Sequence, residues 1–168
     1  MGLSLYTPKL EDLWFREEFM ADPATMSYNN AWGGTIPFPK EDWKTWYETW
    51  VNPLDDKHFY RYLKTAEGEF IGEVAYHIED ESNMCLADVI IASKYRGRGY
   101  GNEGLLLLCE QAKENGIECI YDNIAIDNTA VKLFIEAGFT EEYRTDEFIF
   151  LKKDLKDNGI YGKEKWLN

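Results

Sequence analysis

Residues 86–101 place narrow limits on the fold, because a buried strand there runs through a short polar step into a glycine-rich turn and then a helix. The strand is Leu86-Ala87-Asp88-Val89-Ile90-Ile91-Ala92, a β-branched run typical of a central strand. Ser93-Lys94-Tyr95 follows, then Arg96-Gly97-Arg98-Gly99-Tyr100-Gly101. Glycines let a backbone turn sharply and bring successive N–H groups to one point. The first N–H groups of the next helix have no acceptor within it and carry the positive end of its dipole. Such a turn is an anion site suited to a pyrophosphate, and Arg96 and Arg98 add two cations.

Several phosphate ligands fit a glycine turn. The string GxxxxGK[ST] of a P-loop does not occur, which argues against a nucleoside-triphosphate enzyme. The dinucleotide fingerprint GxGxxG does occur, from Gly99 to Gly104, with Asp122 about 20 residues further on. Two observations weigh against it. Polar Ser93 to Tyr95 separates strand from glycines, and the chain after Ile126 is too short to complete a doubly wound sheet. A glycine turn without a ligand is the third reading.

Periodicity supplies the rest of the frame. Leu3–Tyr6 reads as a strand and Leu10–Met20 as a helix that Asp22-Pro23 ends. Tyr28–Pro39 reads as loop. Lys40–Trp50 reads as a short helix with Trp43, Trp46, Tyr47 and Trp50 on one face, usually a sign of core packing and less often of a substrate wall. Phe59–Lys64 and Glu69–Ile78 form an antiparallel pair about the turn Ala66-Glu67-Gly68. Gly101–Asn115 is a helix stopped by Gly116, Ile117–Ile126 a strand, and Thr129–Ala137 a helix closed by Gly138. Thr140–Arg144 and Glu147–Lys152 make a final hairpin. The order β-α-α-β-β-β-α-β-α-β-β predicts a single-domain α/β (α+β) fold, a mixed sheet of about seven strands with helices on its faces.

Composition excludes several classes. With 168 residues, one domain is expected over 1–155, with 156–168 as a C-terminal tail. No apolar run approaches the roughly 20 residues of a membrane span. The N-terminus lacks a basic region and a small-residue cleavage site, so the cytoplasm is the expected location. Three cysteines without CxxC spacing suggest reduced thiols, and two histidines outside any ligand spacing suggest no metal. A formal net charge of -13 disfavours nucleic acid and anionic membranes as partners. It would steer a cationic substrate, though acidity for solubility alone explains it as well.

The sequence resembles the GCN5-related N-acetyltransferases (GNAT), whose signature [Q/R]-x-x-G-x-[G/A] is met by Arg96-Gly97-Arg98-Gly99-Tyr100-Gly101. The family's second signature is met by Asn128-Thr129-Ala130-Val131-Lys132-Leu133-Phe134-Ile135-Glu136-Ala137-Gly138-Phe139. The likeness extends from Leu3 to about Leu155. Ala21-Asp22-Pro23 and Phe70-Ile71-Gly72-Glu73 look like the branch holding ribosomal-protein N-terminal, diamine and some aminoglycoside acetyltransferases.

The resemblance implies a mostly antiparallel sheet of the acyl-CoA N-acyltransferase type and acetyl-CoA as cosubstrate. It implies that backbone amides of Arg96, Gly97, Arg98, Gly99, Tyr100, Gly101 and Asn102 hold the pyrophosphate. Backbone groups of Ile90 and Ile91 would pair with the pantetheine arm, and Asn128 would bond the cofactor beside it. Asn128 also reads simply as a helix cap. The family often has a Tyr acid where this chain has Phe134, so Phe134 packs against the acyl group at most and the acid is absent or elsewhere. Tyr143 and Tyr100 are the nearest tyrosines in sequence. The implied reaction is acetyl transfer to a primary amine of a small, cationic acceptor or of a protein N-terminus. A non-catalytic CoA-binding module is the alternative. Asp88, the only carboxylate in the strand before the loop, is the candidate base, with Glu73 second. A homodimer through an exposed tryptophan face stays open.

Overall fold

The computed structural model describes residues 2–156. Among these residues seven strands form one sheet in the order β1-β2-β3-β4-β5-β7-β6. They are β1 (Ser4–Tyr6), β2 (His58–Lys64), β3 (Phe70–Ile78), β4 (Cys85–Ile91), β5 (Cys119–Ala125), β6 (Thr140–Arg144) and β7 (Phe148–Asp154). Every pairing is antiparallel except β4 with β5. The helices are α1 (Trp14–Ala21), α2 (Trp43–Trp50), α3 (Tyr100–Glu114) and α4 (Ala130–Glu136).

The sheet divides the core in two. Leu105, Leu108, Cys109 and Ala112 of α3, at positions i, i+3, i+4 and i+7, pack with Phe134 of α4 on one face, against Val74, Ala87, Ile91, Ile120, Ile124 and Leu151. On the other face Phe15, Phe19 and Met20 of α1 and Trp43 of α2 pack against Tyr60, Tyr62, Ala75 and Ile90. Alternation along each strand sends its side chains to the two faces in turn, so Asp88 and Glu73 share the α1/α2 face with Ile90. Asp122 lies between Ile120 and Ile124 and opposite Leu151, on the α3/α4 face. Helix α3 lies close on the sheet because Gly104 faces Leu63 of β2; a Cβ there would meet Leu63 Cδ1 at 2.6 Å.

One expectation changes and one is met. The segment expected as loop from Tyr28 begins as 3-10 turns over Thr25–Trp32. The Asp22 carboxylate starts the coil by accepting from the Ala24 and Thr25 N–H groups and the Thr25 hydroxyl, and left-handed Gly33 ends it. The α2 aromatic stripe faces inward: Trp43 is buried, while half-buried Trp46 and Trp50 stack on one another. Among the described residues the exposed tryptophans are Trp14 and Trp32, outside that stripe. Among the described residues no helix is long and apolar enough to cross a membrane. Cys85, Cys109 and Cys119 are free thiols. The expected tail beyond Lys156 lies outside the described residues.

Candidate active site

Strands β4 and β5 touch at a single register point, Leu86 with Tyr121, and then part. Beyond it the central sheet is open, and the remainder of β4 pairs only with β3. Hydrogen-bonded pairs alternate along an antiparallel ladder. Since the Ala92 N–H donates to the Ile71 carbonyl, the next such pair joins Ile90 to Glu73. The backbone groups of Val89 and Ile91 therefore turn toward the gap, whereas those of Ile90 turn to β3. The Ile91 carbonyl already accepts from Arg96 Nε at 3.0 Å.

At the end of β4 the glycine turn runs into α3, with Gly97 and Gly99 at φ +77 and +84. A Cβ built on Gly97 meets nothing within 4 Å, so the turn opens on space that a ligand can fill. Gly101 is different: a Cβ there would come within 2.7 Å of Leu133 Cδ1. Asn102, in the first turn of α3, has a buried Oδ1 without a hydrogen-bond partner. Open glycine backbone, a helix N-terminus and an orphaned buried acceptor fit a pyrophosphate and an amide-bearing arm.

The two arginines of the turn differ. Arg96 spends its guanidinium on the carbonyls of Ala24 (3.1 Å) and Thr25 (2.5 Å) as well as Ile91, and its own N–H donates to the Ser93 carbonyl. It staples the 3-10 segment to the end of β4. Exposed Arg98, whose guanidinium lies 5.9 Å from the Tyr95 ring, is the turn's outward cation. Asn128 Oδ1 accepts the Ala130 N–H at 2.9 Å, which caps α4 and leaves its NH2 group to donate. Phe134 is buried and packs edge-on to Phe139 in the α3/α4 core.

On the α1/α2 face lies a charged network. Glu73 is 2% exposed, accepts from Arg16 Nη1 at 2.6 Å, and also accepts the Tyr60 hydroxyl. Burial works against the Arg16 charge, but Glu73 more than offsets it and raises the guanidinium pKa. The same guanidinium lies over Trp46 at 4.3 Å and Phe38 at 5.1 Å. Glu73 is thus committed to a structural ion pair.

Asp88 is different. Its carboxylate accepts the gap-facing Val89 N–H, and water reaches it through the open gap. Surrounding protein and then the Glu73 charge push its pKa up to about 7, against the pull of Arg16. Burial, Asp88 and Glu73 likewise raise the Tyr28 hydroxyl. On β5, half-buried Asp122 accepts the Asn123 N–H at 2.7 Å, and burial followed by the Asp88 charge raises it to about 8. Arg16 and Tyr28 carried no sequence signal of their own, and Asp122 had one only as a nucleotide acid. Of the two tyrosines nearest in sequence, Tyr143 sits exposed on β6, two strands from the gap. A separate cleft of about 410 Å³ lies between α1, the β2–β3 turn and Ser93–Tyr95, away from Asp88.

A parted parallel strand pair, a glycine turn at its mouth and carboxylates in the gap go with the acyl-CoA N-acyltransferase fold. The family model described as Acetyltransferase (GNAT) domain matches residues 3–140, and the chain belongs to that family as an acetyl-CoA-dependent N-acetyltransferase. Among solved structures it resembles spermidine N-acetyltransferase from Vibrio cholerae in complex with CoA and spermine, at 20% identity and TM-score 0.77, over 92% of this chain and 96% of that one. An N-acetyltransferase from Staphylococcus aureus Mu50 gives 19% and 0.73, over 93% and 100%. YncA from Salmonella typhimurium, with its cofactor acetyl-CoA, gives 16% and 0.70, over 94% and 96%. No curated protein sequence matches the chain.

Proposed function

We propose that this enzyme acetylates a primary amine of a small cationic acceptor, with Asp88 as the base. The observation that carries the reading is the division of labour between two carboxylates on one face. Glu73 is neutralised by Arg16, whereas Asp88 has only a backbone N–H and faces the open gap. A carboxylate in that position attracts an ammonium group and, with its pKa near neutrality, accepts a proton from it. The net charge of -13 adds long-range steering. The solved neighbour holding spermine with CoA is consistent with such an acceptor.

In this reading the amides from Gly97 to Asn102 hold the pyrophosphate, and Val89 and Ile91 offer backbone groups to the pantetheine arm. Asn128 offers its NH2 beside that arm. Bound acetyl-CoA supplies an activated acyl group, and the fold contributes mainly by holding amine and thioester together. The test is a panel of polyamines, aminoglycosides, amino acids and N-terminal peptides, with thiol release measured. Turnover of cationic small amines, reduced about tenfold or more in Asp88→Asn as expected for loss of a general base, supports the reading. Turnover confined to peptides, or an unchanged Asp88→Asn enzyme, defeats it.

A further inference from the structure

Acetyl transfer needs a proton at two places on opposite sides of the thioester. One proton leaves the amine and one must reach the departing sulfur. Phe134 cannot supply the second, and it is sealed into the core by Phe139. The gap between β4 and β5 offers another group. Asp88 and Asp122 come from the two strands that part, and each takes the N–H of the following residue, Val89 or Asn123. Both of those amides face the gap, because their strands' ladders with β3 and β7 use the alternate residues. Both carboxyls are thereby turned into the opening.

They sit on different faces of the sheet. Asp88 shares the α1/α2 face with Glu73, Arg16 and Tyr28. Asp122 shares the α3/α4 face with Phe134. We propose that Asp122 is the general acid of the transfer, returning a proton to the thiolate sulfur from the face on which Phe134 stands. This rests on the reading of Asp88 as base on the acceptor side.

The protons balance. The acceptor's ammonium gives one to Asp88, and the freed nitrogen lone pair adds to the thioester carbonyl. The C–S bond breaks with its electron pair going to sulfur, which takes the Asp122 proton. Asp88, having passed its first proton to water through the gap, takes the nitrogen's surplus proton and releases that as well, and the Asp122 carboxylate is reprotonated from water. One proton leaves per turnover. Two carboxyls held in unlike surroundings are a recurrent way to divide acid from base.

The surroundings suit Asp122 to the role. Its own strand offers Ile120, Ile124 and the Asn123 amide, β7 offers Leu151, and α4 offers Phe134. The charged group that faces it is Asp88. Asp88 itself faces Glu73, Arg16, Tyr28 and Asp122. With a pKa raised to about 8, Asp122 is mostly protonated at neutral pH, close to a thiol's own value near 8.5.

Two measurements test this, and they separate its failure from that of the Asp88 reading. The first is an infrared pH titration of the Asp88→Asn protein. A protonated-carboxyl band should persist above pH 6 and vanish in Asp88→Asn/Asp122→Asn. Absence of that band in the single variant overturns the proposal without any turnover being measured. The second is the pH–rate profile. The native enzyme should fall above about pH 8, and Asp122→Asn should lose that descending limb, with kcat at pH 7 down about tenfold to hundredfold. Acetyl-CoA affinity by calorimetry should stay unchanged. A retained descending limb, an unaltered kcat, or loss of the ascending limb instead would each overturn it. The last would make Asp122 the base and refute Asp88 separately.

Discussion

Arg16→Met should be the most revealing single substitution outside the gap. It removes the partner of a carboxylate that is 2% exposed and leaves Glu73 with the Tyr60 hydroxyl as its remaining donor. Breaking a buried pair in this way costs about 3–5 kcal/mol. The guanidinium stacked on Trp46 at 4.3 Å contributes up to about 2 kcal/mol more, part of which methionine recovers by apolar contact. A net loss of about 4 kcal/mol is expected. That is a large share of the roughly 5–15 kcal/mol that holds a domain together. It corresponds to a Tm lower by about 8–16 °C at this chain length.

Arg16→Met/Glu73→Gln removes the stranded charge and should recover about half or more of the loss. Urea denaturation at neutral pH, followed by tryptophan fluorescence, measures the native protein, Arg16→Met, Glu73→Gln and the double variant. A loss below about 1 kcal/mol in Arg16→Met, or strictly additive single effects in the double variant, would refute the reasoning.

Other perturbations follow from the same geometry. Gly99→Val puts a β-branched residue at φ +84 in the glycine turn proposed for the pyrophosphate, so the thermal shift given by acetyl-CoA should disappear while the apo domain still melts cooperatively. Without an acceptor bound, Asp88 and Asp122 oppose folding once ionised, because their folded pKa values lie above the usual 3.8. Stability should therefore be greatest below about pH 4 as far as these two groups are concerned, and decline as the pH rises through 7 and 8; Asp88→Asn and Asp122→Asn should each flatten that decline in a denaturation series. For a cationic acceptor, kcat/KM should fall as ionic strength rises, and a salt-insensitive value would remove electrostatic steering.

Local backbone chemistry was legible in the sequence, and through-space pairing was not. Gly97 and Gly99 announced the turn because only glycine adopts those positive φ angles cheaply. Asn128 announced the α4 cap because capping is decided within two residues. Arg16 gave no such sign, since its partner Glu73 lies 57 residues away and the two meet only through helix placement and strand register. In the sequence Asp22 reads as a helix terminator before Pro23. Its other work, capping the 3-10 segment and accepting from Ser93 Oγ at 2.9 Å, depends on β4 ending beside α1.

Asp122 shows why spacing alone misleads. About 20 residues beyond a GxGxxG string, it fits a ribose-binding acid as well as any carboxylate does. Its meaning comes from the sheet order: β5 lies parallel to β4, touches it once and leaves. That single point of contact allows groups on opposite faces to look into one opening. Asp88 reaches it from the side that carries Glu73 and Arg16, and Asp122 from the side that carries Phe134. The Asp88 charge adds to burial in raising the Asp122 pKa, so the two carboxyls are coupled where the strands part.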